Sequence, residues 1–143
     1  MTVEAAVAAL REAYRTGVPC PPLRGSLLPE GDIQAGYAVQ RAMLAGWVAE
    51  GRRQVGAKIG LTSPAVQRQL GVDQPDFGAL LADLAVPDGG EVPLGSGAGP
   101  GRLTAGSAGA TPAGDRLLQP KVEAEVAFVL GADLPYEQVT SVD

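Results

Sequence analysis

Val3, Val7, Leu10 and Tyr14 are spaced 4, 3 and 4 residues apart, which is one apolar stripe of an α-helix. Thr2 can cap its start, Glu4 suits its first turn, and Gly17 can end it. Residues 18–31 carry Pro19, Pro21, Pro22 and Pro29 and read as an irregular connector. A second helix is expected after Asp32, where Ile33, Tyr37, Gln40, Leu44 and Trp47 recur at helical spacing. Gln40 is the polar member of that stripe. It reads either as a buried amide satisfied by backbone groups or as a substrate contact.

Beyond Trp47 the period changes. Val55 to Leu61 reads as a short extended segment in which Gly56 and Gly60 let other backbone approach. Ser63-Pro64 predicts a third helix, with Ser as cap and Pro as first residue, ending at Gly71. Gln74-Pro75-Asp76-Phe77-Gly78 reads as a turn-rich loop. Asp88-Gly89-Gly90 reads as the turn of a hairpin between Leu84-Ala85-Val86 and Glu91-Val92-Pro93. Residues 95–114 contain seven Gly and five Ala and have the composition of a flexible linker. Lys121 to Leu130 alternates as a strand does, with Val122, Ala124, Val126, Phe128 and Leu130 on one face. The chain thus divides into a helical region with first strands at 1–94, a flexible Gly/Ala-rich segment at 95–114, and a strand-bearing segment at 115–143. The fold class is α+β.

Composition narrows the chemistry. The 143 residues carry a net charge of −5 and no clustered basic run, which argues against nucleic acid as a partner. No stretch has the unbroken apolar length of a membrane span, and no secretory h-region is evident, so a cytoplasmic location is expected. Cys20 is the single cysteine and lacks activating neighbours. Arg52-Arg53 is expected on a solvated helix end. There is no histidine, which removes His-based triads and His-ligated metals.

What remains is oxygen and amine chemistry. On the expected strand Glu123 and Glu125 share a face, about 6.6–7 Å apart along the backbone. Two adjacent anions near an apolar strand repel one another, and a hard divalent cation would offset that. The plainer alternative is a solvated strand end with Glu123 paired to Lys121. Lys58, set among Gly56, Ala57, Ile59 and Gly60, is expected to be partly buried and suited to proton transfer or anion binding; the alternative is a Lys that reaches the surface. Asp76 is either a site residue or a turn former.

Taken together, Ala38-Val39-Gln40, GAKIGLTSPAVQRQLGV, QPDFGALLAD and LLQPKVEAEVAFVLGADL resemble the 2-keto-4-pentenoate hydratase family. That family lies within the fumarylacetoacetate hydrolase superfamily, which also holds 4-oxalocrotonate decarboxylases. The resemblance covers nearly the whole chain outside residues 95–114. It implies the first part of a mixed β-sheet or barrel of that superfamily, left incomplete here. It also implies a Mg²⁺- or Mn²⁺-dependent lyase that adds water to 2-hydroxypenta-2,4-dienoate, in aromatic catabolism.

By motif, Glu123 and Glu125 would hold the metal. Lys58 and Asp76 would be catalytic, and Gly60, Thr62 and Ser63 would bind substrate. The implied partners are a small 2-oxo or 2-hydroxydienoic acid and either a second copy or a decarboxylase/hydratase partner. A 2-oxo-3-enedioate decarboxylase is the same-fold alternative. An inactive remnant or interaction module is the alternative of another class, because the third acidic ligand of the family is not in this chain.

Overall fold

The structure, a computed structural model, describes residues 2–90, 92, 117–118 and 121–132. Its elements are α1 (Val3–Thr16), α2 (Ile33–Ala49), β1 (Gln54–Gly60), α3 (Pro64–Leu70), β2 (Asp76–Leu81) and a 3₁₀ turn at Ala82–Leu84. Mixed α and β content agrees with the expected class.

The helix ends lie where the polar residues place them. Thr2 Oγ1 accepts a hydrogen bond from Ala5 N–H at 3.2 Å, and Asp32 Oδ1 accepts one from Ala35 N–H at 2.9 Å. Each bond satisfies an orphan donor of the first turn. α1 stops at Gly17, which takes the left-handed conformation (φ +71°) that closes a helix without a Cβ clash.

α1 and α2 pack through small and flexible residues. Ala6 of α1 meets Val39 and Met43 of α2, one turn apart, and Leu28 of the connector completes the buried cluster. Leu23 and Leu27 pack against its rim. The connector reaches this position by folding on itself: Leu27 and Leu28 both donate backbone N–H to the Leu23 carbonyl, at 2.9 Å. At the far end Tyr14 and Trp47 meet edge to face, 5.3 Å between centroids. Arg11 and Glu50 form an ion pair across the two helices.

β1 and β2 form a two-stranded antiparallel sheet with Lys58 opposite Gly78, Ile59 opposite Phe77 and Gly60 opposite Asp76. A bulge at Val55 shifts the register between Gln54 and Gly56. The sheet is tied back to the helices at one end. Ala82 N–H donates to the Arg53 carbonyl at 2.8 Å, and Arg52 Nε pairs with Asp83 Oδ2 at 2.6 Å. The Arg52 guanidinium also lies 4.9 Å from the Trp47 ring centre. Arg52 is therefore held against the body of the protein, contrary to the expectation of a solvated helix end.

Three expectations are corrected. Residues 76–78 are not a loop; Asp76 opens β2. Pairing with β1 decides this, since Gly78-Ala79 offers little side-chain alternation to read. Leu84 belongs to the 3₁₀ turn rather than a hairpin strand. The tight turn is present, with Gly90 N–H donating to Pro87 O at 2.8 Å, but the second hairpin arm cannot be followed because Glu91 and Pro93 lie outside the described residues. Lys121–Leu130 adopts no strand pairing and is exposed throughout, Val122 fully and Phe128 at 88%. A strand needs a hydrogen-bonded neighbour, and none of the described residues supplies one. The segment 95–114 lies outside the described residues. Among those described, no helix is long and apolar enough to cross a membrane.

Candidate functional site

The register of the sheet puts Lys58 and Gly60 of β1 on the same face as Asp76 and Gly78 of β2. Lys58 faces Gly78 and Asp76 faces Gly60, so the two charged residues are diagonal neighbours. Lys58 Nζ lies 3.7 Å from Asp76 Oδ2. The two glycines make that approach possible. A Cβ on Gly78 would come within 3.0 Å of Lys58 Cγ, on the stem that crosses it. A Cβ on Gly60 would overlap the Asp76 carboxylate and stand 3.2 Å from Lys58 Nζ. Sequence spacing marked Gly60 as a place of close approach, and the approaching groups are these two side chains.

Of the two readings of Lys58, partly buried or reaching the surface, the second holds. Its side chain is 44% exposed and that of Asp76 is 51% exposed. The cause is the same pair of glycines, which leave no wall around the ammonium. An ion pair this open contributes about 0–1 kcal/mol to stability. Its interest is chemical: a primary amine and a carboxylate within reach of one small molecule can pass a proton between them.

The loop after β1 is shaped by α3. Leu61 takes a positive φ of +54°, uncommon for a residue with a bulky side chain. Gln67 Nε2 donates to the Leu61 carbonyl at 2.6 Å and holds that turn. Ser63 Oγ accepts from Ala65 N–H at 3.3 Å as the α3 cap. Thr62 is exposed beside it. Gly60 therefore lies within the charged pair's floor, Thr62 stands next to it in the loop, and Ser63 has a capping role.

Tyr37 and Gln40 are the residues whose part was not fully legible. Tyr37 Oη accepts from Phe77 N–H at 3.0 Å, and Gln40 Nε2 donates to Phe77 O at 3.0 Å. The backbone-satisfied reading of Gln40 holds, although the side chain is exposed rather than buried. The signal was a polar residue interrupting an apolar helix stripe; nothing marked Tyr37 as its companion.

Glu123 and Glu125 lie in the exposed, unpaired segment 121–130. Among the described residues no three His, Cys, Asp or Glu side chains converge as a metal cluster, so Asp76 does not join the two glutamates. Their donor chemistry still fits a hard cation, since a Mg²⁺ site can rest on one or two carboxylates with water and substrate oxygens.

An apolar hollow of about 470 Å³ lies between α1, α2 and β2, lined by Tyr14, Met43, Trp47, Leu81 and Leu117 among others. Gln40 and Gly78 reach its wall, but Lys58 and Asp76 do not line it.

No family model matches the chain. Individual proteins do. It is 50% identical over 143 residues to 2-keto-4-pentenoate hydratase 2 of Dechloromonas aromatica, covering 100% of this chain and 47% of that protein. It is 48% identical over 134 residues to the TodF product hydratase of Pseudomonas putida, covering 94% of this chain and 42% of that protein. A 2-oxo-hept-4-ene-1,7-dioate hydratase of Escherichia coli is 39% identical over 106 residues, covering 74% and 32%. The chain spans about half the length of the curated relatives it matches.

Proposed function

We propose that the chain belongs with the 2-keto-4-pentenoate hydratases, of which it matches about half, and that it is the Lys58- and Asp76-bearing part of a hydro-lyase that hydrates 2-hydroxypenta-2,4-dienoate to a 4-hydroxy-2-oxo acid. The observation that carries this reading is the meeting of Lys58 and Asp76 over Gly60 in a chain half identical to such hydratases. The surrounding fold is taken to be the first part of a fumarylacetoacetate-hydrolase-like β core. The relatives named above are hydratases, and none of them favours the decarboxylase reading.

Hydration of the dienoate requires proton movement at two carbons as the dienol becomes the 2-oxo acid. Lys58, as an ammonium, donates a proton or holds the developing enolate oxygen. Asp76 orients that ammonium and accepts a proton from water. Thr62, exposed in the loop beside the pair, contacts the substrate's polar end in this reading. Glu123 and Glu125 would hold Mg²⁺ or Mn²⁺. When bound, such a cation polarises the carboxylate and 2-oxo oxygens of the substrate. The substrate in this reading is a small 2-hydroxydienoic acid.

Two measurements test this. With Mg²⁺ present, the purified chain is expected to remove the absorbance of 2-hydroxypenta-2,4-dienoate; an unchanged spectrum sinks the activity. Titration with Mn²⁺ followed by calorimetry is expected to show weaker binding in Glu125→Gln, by about tenfold or more on the scale seen when metal-site residues are lost. Lys121→Gln should bind as the parent does. Equal weakening in both variants would favour the Glu123–Lys121 ion pair over a metal site.

A further inference from the structure

We propose that Tyr37 and Gln40 are positioning residues for the Lys58–Asp76 pair, acting as a clamp on the backbone of Phe77. The inference rests on the assignment of Lys58 and Asp76 to proton transfer. Tyr37 and Gln40 stand one turn apart on α2 and hold both polar groups of a single residue, the N–H and the C=O of Phe77, each at 3.0 Å. In an antiparallel pair the N–H and C=O of one residue point to the same side. Those of Phe77 are taken by α2, on the edge of β2 away from β1.

The location gives the clamp its purpose. Asp76 is the first residue of β2, paired with Gly60 at the last rung of the ladder. Pro75 precedes it and has no N–H to extend the pairing. Terminal rungs fray. The ion pair cannot hold this end by itself, since both partners are about half exposed and 3.7 Å apart. The first residue inward from the end is Phe77, and its backbone N–H and C=O are what α2 grips. Holding it fixes the Asp76 carboxylate over Gly60, within reach of Lys58.

The full chain has two lysines, Lys58 and Lys121, so trace acetylation read by mass spectrometry carries its own reference. Acylation needs access to Nζ, and a side chain lying over Gly78 with its Nζ 3.7 Å from the Asp76 carboxylate offers less of it. Asp76→Asn sets the upper limit for the Lys58:Lys121 labelling ratio. Tyr37→Phe with Gln40→Met keeps shape and removes both hydrogen bonds. The double variant is expected to raise the ratio toward that limit, by about two- to fivefold, the range of a half-exposed ion pair. Phe77 amide exchange should rise with it while helical circular dichroism stays unchanged. If the double variant loses helix, Tyr37→Phe alone carries the test.

A parental ratio in the clamp variants, beside a raised ratio in Asp76→Asn, overturns the proposal. So does an Asp76→Asn ratio equal to the parent's. Labelling requires no turnover, so an inactive chain that shows the expected ratios would remove the hydratase reading and leave the clamp standing.

Discussion

Met43→Ala is expected to lower the stability of the chain by about 2–5 kcal/mol, the usual cost of truncating a buried Met. Met43 is 3% exposed and belongs to a buried cluster whose other members are Ala6, Leu28 and Val39. Two of the four come from α2, one from α1 and one from the connector, so a cavity there weakens every packing contact that joins the three. Small domains have little stability to lose, and a change of this size would leave a large unfolded fraction. Urea unfolding followed by circular dichroism reads it as a lower midpoint. Val66→Ala is the control: Val66 is 39% exposed on α3, and its truncation should shift stability by no more than about 0.5 kcal/mol. Similar midpoints for the two variants would show that the core lies elsewhere.

Gly60→Ala is expected to act on chemistry more than on folding. The added methyl overlaps the Asp76 carboxylate and crowds Lys58 Nζ at 3.2 Å. Asp76 is half exposed and can swing into solvent, so the stability loss should sit at or below the low end of the roughly 1–3 kcal/mol range for overpacking. The cost falls on the geometry of the pair. With Asp76 displaced, dienoate turnover should fall by about a hundredfold, the lower end of what a positioned acid–base group contributes. A variant that melts normally and turns over normally would show that the contact over Gly60 has no catalytic part.

The helices were legible because their signals are local. A cap, an apolar stripe and a terminal glycine all lie within one element, and Thr2, Asp32, Ser63, Gly17 and Gly71 perform the roles their types predict. β2 was not legible, because pairing with a distant segment decides it and Gly78-Ala79 hides the alternation. Lys121–Leu130 shows the converse: alternation is clear, yet no described neighbour pairs with it. The candidate site divides the same way. Gly60 announced a close approach and Lys58 stood beside it, but the partly buried reading of Lys58 required walls that Gly60 and Gly78 do not provide. Tyr37 reads as one more apolar stripe position until the Phe77 N–H is seen on its hydroxyl.

Lys58 and Asp76 are proposed to act together on a small dienoic acid. The most direct measurement is the rate at which the full chain, with Mg²⁺, consumes 2-hydroxypenta-2,4-dienoate, compared with Lys58→Met, Asp76→Asn and the double variant. The parent should consume it, each single variant should lose about 10²- to 10⁴-fold, and the double should lose little more than either, because the two residues act as a unit. A parent that leaves the dienoate untouched, or single variants that match an active parent, would contradict this proposal.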